Sequence, residues 1–283
     1  MTAEERPSHL VSDRFFYAAF GVIGGTYALL LVLLVMADVL YVFQLDTAAA
    51  AGGSAKAAAH PIIEALQKPE IRYSIGLTLI SCTVAAILSV LTAVPVAYLL
   101  ARKQFRGRQL VEAIFDIPIV LPPLVVGLSL LILFQFLPFN LASRWVVYQI
   151  PAVILAQYTV AAAFAVRTMR ATFDQTDARA ENVALTLGCS RWQAFRRVVL
   201  PEVRNGMLTA FTLAWARSLG EFGPLLIFAG ATRNKTEVLA TTVFLELSIG
   251  DLEAAVAVSL IMILAALIVL VAARVWGRAR ILV

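Results

Sequence analysis

The stretch Tyr73–Leu100, YSIGLTLISCTVAAILSVLTAVPVAYLL, runs for 28 residues without a single charge. A bilayer core about 30 Å thick needs roughly 20 apolar residues in a helix, so this run can cross with some tilt. Its Gly, Ser, Thr and Pro would weaken a helix in water. In lipid the helix remains the economical form, because each unpaired backbone group there costs several kcal/mol. Five more apolar runs follow the same pattern: Phe15–Ala37, Ile114–Leu137, Val146–Val166, Gly206–Gly230 and Ala254–Ala273. A membrane barrel would need short alternating segments, and the chain has none. The expected fold class is all-α: a polytopic membrane helical bundle of about six transmembrane helices. Composition agrees, with 61% hydrophobic and 14% charged residues against about 45–50% and about 25% for globular domains.

Basic residues in the connections set the orientation. Of the 23 Lys and Arg, 16 fall in alternate connections beginning with the N-terminus, 6 fall in the others, and Arg217 lies within the fifth run. Both termini are therefore expected in the cytoplasm. The expected layout is a tail at 1–14, a first transmembrane helix at 15–43, an external Ala-rich loop at 44–72, a transmembrane domain at 73–276 containing a cytoplasmic loop at 167–205, and a tail at 277–283. The +5 charge and pI near 9.5 then reflect positive loops on an anionic leaflet, with no nucleic-acid partner implied. A cleaved signal ending near Ala48–Ala51 is disfavoured, because the first run exceeds the 7–15 residues of a signal core. His9 and His60 lack ligand company and no metal site is expected; Cys82 and Cys189 lie too far apart in topology to pair.

Two features stand out from this frame. Pro118, Pro122, Pro123 and Gly127 interrupt the third run, and proline both removes a donor and obstructs the preceding turn, so a kink is expected there. The inner connection Arg167–Asn205 is too patterned for a linker. Ser190 is a good N-cap, Trp192, Phe195 and Val199 recur on one helical face, Arg191, Arg196 and Arg197 occupy others, and Pro201 is expected to end the segment. Such a helix can anchor aromatics in a partner's groove or lie on the inner leaflet. Periodicity does not choose between them.

The stretch AENVALTLGCSRWQAFRRVVLP (Ala180–Pro201) resembles the cytoplasmic loop of permease subunits of bacterial ATP-binding-cassette (ABC) importers. Ala184, Gly188, Val198, Leu200 and Pro201 stand at matching positions. Asn182 replaces the usual Glu, with Glu181 one place earlier, and Val183 replaces an Ala. The resemblance implies that this loop is a coupling helix docked on a cytoplasmic ATPase, with Glu181, Asn182, Ala184, Gly188, Ser190, Arg191, Trp192, Phe195, Leu200 and Pro201 as its site residues. PVAYLLARKQFRGRQLVEAIFDIPIVLPPLVVGLSLL (Pro95–Leu131) and ARSLGEFGPLLIFAG (Ala216–Gly230) resemble the molybdate and sulfate branch. The implied assembly has two permease copies, two ATPase subunits that bind the ATP and Mg, and an external binding protein in a bacterial inner membrane. This chain itself needs no cofactor. None of its 15 glycines precedes a Lys, so a phosphate-cradling P-loop is absent and no enzyme is expected here.

Arg217 and Glu221 stand one helical turn apart in an apolar run, where charge is expensive and marks either a pathway or a paired lock. Ser218, Thr209 and Thr212 are neighbouring candidates, although hydroxyls are ordinary helix glue in lipid. Gly220, Gly223 and Pro224 should break this helix as Pro122 and Pro123 break the third. The rival reading is an ion-driven secondary transporter relaying protons through Asp38, Asp116 and Glu221. Within the importer reading, tungstate, sulfate and phosphate stay open beside molybdate.

Overall fold

The structure, a computed structural model, describes residues 9–51 and 61–278. Most of the expected N-terminal tail, the middle of the Ala-rich loop with His60, and the last five residues lie outside it. Every regular element among the described residues is helical. The chain divides into two units, Met1–Pro61 and Ile62–Val283. The first holds α1 (His9–Ala51), which extends beyond the first apolar run at both ends. The second holds all of α2 (Pro61–Gln67) but its first residue, and α3 (Pro69–Arg102), α4 (Arg108–Val120), α5 (Pro123–Leu133), α6 (Asn140–Val146) and α7 (Ile150–Gln175). It continues through α8 (Arg179–Thr186), α9 (Arg191–Ala194), α10 (Leu200–Glu202), α11 (Arg204–Leu219), α12 (Leu239–Ile249) and α13 (Leu252–Arg278), with π-helical turns at Phe195–Val199 and Leu225–Ala229.

Four helices, α1, α3, α7 and α13, are long and apolar enough to cross a bilayer, or five crossings if the bent pair α4–α5 is one span. The fifth apolar run is broken as expected at Gly220, Gly223 and Pro224. Its α11 has 16 residues, about 24 Å at 1.5 Å per residue, and the chain then breaks before the second π-helical turn.

At the centre α3 packs along α7, with α11 against both. Lipid tails are as apolar as leucine, so burial alone does not pull such helices together; close packing does. The buried faces are accordingly small: Ala85, Ala86, Ser89, Ala93 and Ala97 on α3, and Ala152, Ala156, Ala161 and Ala165 on α7. Hydroxyls on the spans donate to carbonyls four residues back, as from Thr78 to Ser74 at 2.6 Å and Ser89 to Ala85 at 2.7 Å. Trp215 of α11 is buried and donates its Nε1–H to Thr83 Oγ1 at 3.2 Å.

The α4–α5 pair bends by 111°. Leu121 and Pro122 both precede a proline, which disfavours helical geometry, and both are extended, at ψ 141° and 134°. The second break, Gly220–Pro224, lies directly against the first. A Cβ on Gly223 would stand 2.9 Å from the Leu124 nitrogen, and one on Gly127 would stand 2.8 Å from Pro224 Cα. Backbone meets backbone at this crossing, so only glycine fits.

At the opposite end of α3 from Arg102, charged side chains hold α12 and its preceding loop. Lys68 Nζ lies 2.8 Å from Asp251 and 3.8 Å from Glu246, and Arg233 Nη2 lies 3.0 Å from Glu246, whose side chain is buried. The Leu239 N–H donates to Thr78 Oγ1 at 2.9 Å. Glu237 is fully buried, and neither carboxyl oxygen has a hydrogen-bond partner. Burial pushes its pKa above the usual carboxylate range, against smaller opposing pulls from the nearby Thr242 hydroxyl, whose proton goes to Val238 O, and from Arg233.

Two predictions follow from this geometry. Gly223→Ala and Gly127→Ala must displace backbone and should each cost about 1–3 kcal/mol; Gly76→Ala, with nothing within 4 Å, should lie near zero. Unfolding midpoints in detergent would measure all three, and equal midpoints would contradict the crossing. Glu237 binds its proton more tightly in the folded chain, so its contribution is complete below about pH 4.3 and lost as pH rises through the raised value. Asp251 has the opposite sign: its bond from Lys68 lowers its pKa, and that contribution is lost only as pH falls below the carboxylate range. Stability should therefore decline from about pH 4.5 upward, and Glu237→Gln should flatten that decline. A parent profile already flat over this window would show that ionising Glu237 costs the fold nothing.

Candidate functional site

The inner connection folds as a helix–turn–helix closed at both sides of the turn. Gly188 ends α8 at φ +89°, the left-handed region that glycine enters freely. Its N–H donates to Leu185 O and that of Cys189 to Ala184 O, both at 3.1 Å, which satisfies carbonyls orphaned at the helix end. Ser190 then caps α9: Gln193 N–H donates to Ser190 Oγ at 3.3 Å, and Ser190 N–H donates to Gln193 Oε1 at 2.9 Å. Pro201 does not end the segment. It lacks an N–H and its ring crowds the carbonyl four residues back. The chain absorbs this with the π-helical turn, in which Leu200 N–H donates to Phe195 O, and helix resumes through Glu202.

The two aromatics expected on one face do stack there, with ring centroids 6.0 Å apart, but they differ in exposure. Trp192 is 67% exposed, whereas Phe195 is half-buried with its ring centroid 5.0 Å from that of Tyr98. The exposed apolar residues of the turn are Val183, Leu187 and Trp192. Asn182 and Arg191 are exposed, Ala184 is buried and Leu200 is half-buried. Glu181 is buried, accepts a short hydrogen bond from the Tyr98 hydroxyl, and has Arg102 Nε 3.6 Å away. Arg102 also donates to Thr176 O at 3.1 Å. Tyr98 reaches α7 as well, with its ring 5.7 Å from Phe173. One tyrosine thus ties the last turns of α3 to α7, to α8 and to the π-helical turn. Tyr98 and Arg102 were not singled out from sequence. The signal was a Tyr and an Arg at i and i+4 where an apolar run ends, facing a loop with a carboxylate to satisfy.

Arg217 and Glu221 meet as a contact ion pair at 2.6 Å, with Glu221 buried and Arg217 part-exposed. The guanidinium also lies 5.6 Å from the Phe164 ring centroid, within reach of a cation–π attraction. Because α11 ends at Leu219, Glu221 belongs to the break beside Gly223 and Pro224. Ser218 is fully buried; its carbonyl accepts from Gln157 Nε2 at 3.4 Å. Thr209 and Thr212 spend their hydroxyl protons on Asn205 and Leu208 carbonyls. Asp116 lies elsewhere, lining a cavity of about 260 Å³ with Glu112, Arg167 and Arg170. No group of three or more metal-ligating side chains occurs among the described residues.

Residues 93–280 match the family described as the binding-protein-dependent transport system inner membrane component. The chain belongs to this family. It is a multi-pass membrane permease, and the matched region contains the capped turn, both helix breaks and the Arg217–Glu221 pair. The permease is 34% identical over 214 residues to the sulfate transport system permease protein CysT of Escherichia coli, covering 73% of this chain and 76% of that one. It is 36% identical over 168 residues to the molybdate/tungstate transport system permease protein WtpB of Pyrococcus abyssi, covering 59% and 64%. Among solved structures, a bacterial ABC transporter involved in import of the acidic polysaccharide alginate aligns over 78% of the permease and 83% of its own chain, with a TM-score of 0.63 at 19% identity. That likeness carries the fold.

The Tyr98–Glu181 bond should behave as one coupled unit in the permease. Tyr98→Phe keeps the ring contacts but removes the donor from a buried carboxylate, a loss of about 1.5–3 kcal/mol for a bond to a charged group. Glu181→Gln removes the charge. The double variant should lose less than the sum, by about 0.5–3 kcal/mol, with unfolding midpoints and proteolysis within residues 176–204 as readouts. Additive losses would mean that the two residues act independently.

Proposed function

We propose that this permease forms the membrane path of an ATP-driven importer for a tetrahedral oxyanion, molybdate or its relatives tungstate and sulfate. A separate cytoplasmic ATPase docks on the α8–α9 turn, an external binding protein delivers the anion, and a second copy of the chain completes the path. The observation that carries this reading is the rigidly capped turn bearing Val183, Leu187 and Trp192 as an exposed apolar face. Such a face suits a groove in a soluble partner. The basic asymmetry of the connections supports a position for this turn in the cytoplasm, where ATP is. The sulfate and molybdate/tungstate permeases among its relatives support the choice of anion. Arg217, held by Glu221 and Phe164, supplies a cation to the path that an anion can compete for when the break moves.

Proteoliposomes holding the permease, its ATPase and its binding protein should accumulate labelled molybdate only with ATP on the ATPase side, and protonophores should leave uptake unchanged. Uptake without ATP that collapses with protonophore would establish the ion-driven alternative. Trp192→Asp should insert normally, because the residue lies outside the spans, yet bind the ATPase at least about tenfold more weakly. A buried aromatic contributes about 1.5–3 kcal/mol. Full ATPase association in that variant would remove the docking role of this face.

A further inference from the structure

A groove of about 600 Å³ opens between the last turns of α3 and the α8–α9 turn, sharing Trp192 on its rim with the face proposed for the ATPase but not Val183 or Leu187. Leu91, Pro95, Leu99 and Lys103 follow one another at four-residue spacing, which stacks them on one face of a helix. Leu91 is 65% exposed and Leu99 52%, and Pro95 and Lys103 are exposed as well. An exposed apolar stripe on a membrane span is surface for acyl chains. This stripe runs into the groove where the uncharged run of α3 ends, and there the lining becomes Arg102, Lys103 and Arg191, with Trp192 on the rim.

The charge balance in this cup is positive. Arg102 is engaged with Glu181, while among the described residues neither Lys103 nor Arg191 forms an ion pair. Three cations thus face one carboxylate and the roughly half negative charge at the C-terminal end of α3. Lys and Arg beside an indole at the end of an apolar track is the composition that holds a phosphate at headgroup level, with the ring in the interface. The stripe supplies what a small free anion would not use.

We infer that this groove binds an anionic phospholipid, its acyl chain along Leu91, Pro95 and Leu99 and its headgroup phosphate between Lys103 and Arg191. The bound lipid wedges the coupling turn against the end of α3. The lipid contacts of Leu91, Pro95, Leu99, Lys103 and Arg191 require only that the permease sit in a membrane, so the test is made on the permease without its ATPase, which would share Trp192.

The test uses the full chain in nanodiscs of mixed phosphatidylglycerol and phosphatidylcholine, with one lipid at a time brominated near the glycerol. The Trp192 signal is isolated by subtracting Trp192→Phe. Brominated phosphatidylglycerol should quench Trp192 at far lower mole fraction than brominated phosphatidylcholine. Each basic residue near an anionic headgroup contributes roughly a factor of five in affinity, so the preference should be about 25-fold. The double variant Lys103→Gln, Arg191→Gln should abolish it. Equal quenching by both lipids, a preference that survives the double variant, or displacement of the lipid by inorganic phosphate would overturn the inference. So would absence of quenching by either lipid, which would mean that protein, such as a second copy, covers the groove.

Discussion

Backbone amides and carbonyls have no water to bind in hydrocarbon, and each one left unpaired costs several kcal/mol. A spanning chain can therefore interrupt its helices only where protein takes over from lipid. This permease interrupts two, at Leu121–Pro122 and at Gly220–Pro224, and it sets the interruptions against each other. Proline and pre-proline geometry make the breaks. The glycines at 127 and 223 let the two backbones approach closely enough to shield one another. An apolar cluster containing Val126, Leu130, Leu225 and Phe228 closes around this crossing. Moving one break without the other would open backbone to lipid.

Charge obeys the same logic at three levels along the bundle. Glu181 at one end, Glu221 in the second break and Glu246 at the other end are all buried, and each has an arginine or lysine within ion-pair range. In each case the cation is more exposed than the carboxylate. The long basic side chain reaches in while keeping its own head partly solvated. Removing the cation would strand the acid, which is the costly direction. Glu237 departs from the pattern by being buried without a hydrogen-bonding partner for its carboxyl oxygens.

Much of this was legible in the sequence, and the boundary of legibility has a physical cause. Uncharged runs of sufficient length report their own secondary structure, because lipid permits nothing else. The proline-rich break and the Ser190 cap are local, so single positions reveal them. The α12 helix was passed over because Glu246 interrupts its apolar character, and what permits that charge is Lys68 and Arg233 from elsewhere in the chain. The same limit explains Phe195. Its helical spacing matched that of Trp192, but whether a side chain faces solvent or a neighbour depends on Tyr98, far away in sequence. The break in the fifth apolar run was legible as the proline-rich break was, since Gly220, Gly223 and Pro224 mark it locally although hydropathy alone runs on through it.

The π-helical turn at Phe195–Val199 carries a consequence for how chains of this kind can vary in length. Such a turn is one residue in excess of α geometry, and each residue of an α-helix advances the face by about 100°. Losing one residue here would restore ordinary helix locally, yet rotate everything beyond it relative to the capped turn. Val199 and Val203, now buried, would swing off the core, and Arg217 would leave the side on which it meets Phe164. Insertions and deletions should thus be excluded from this short stretch even where substitutions are accepted, making its length a more constrained property than its composition.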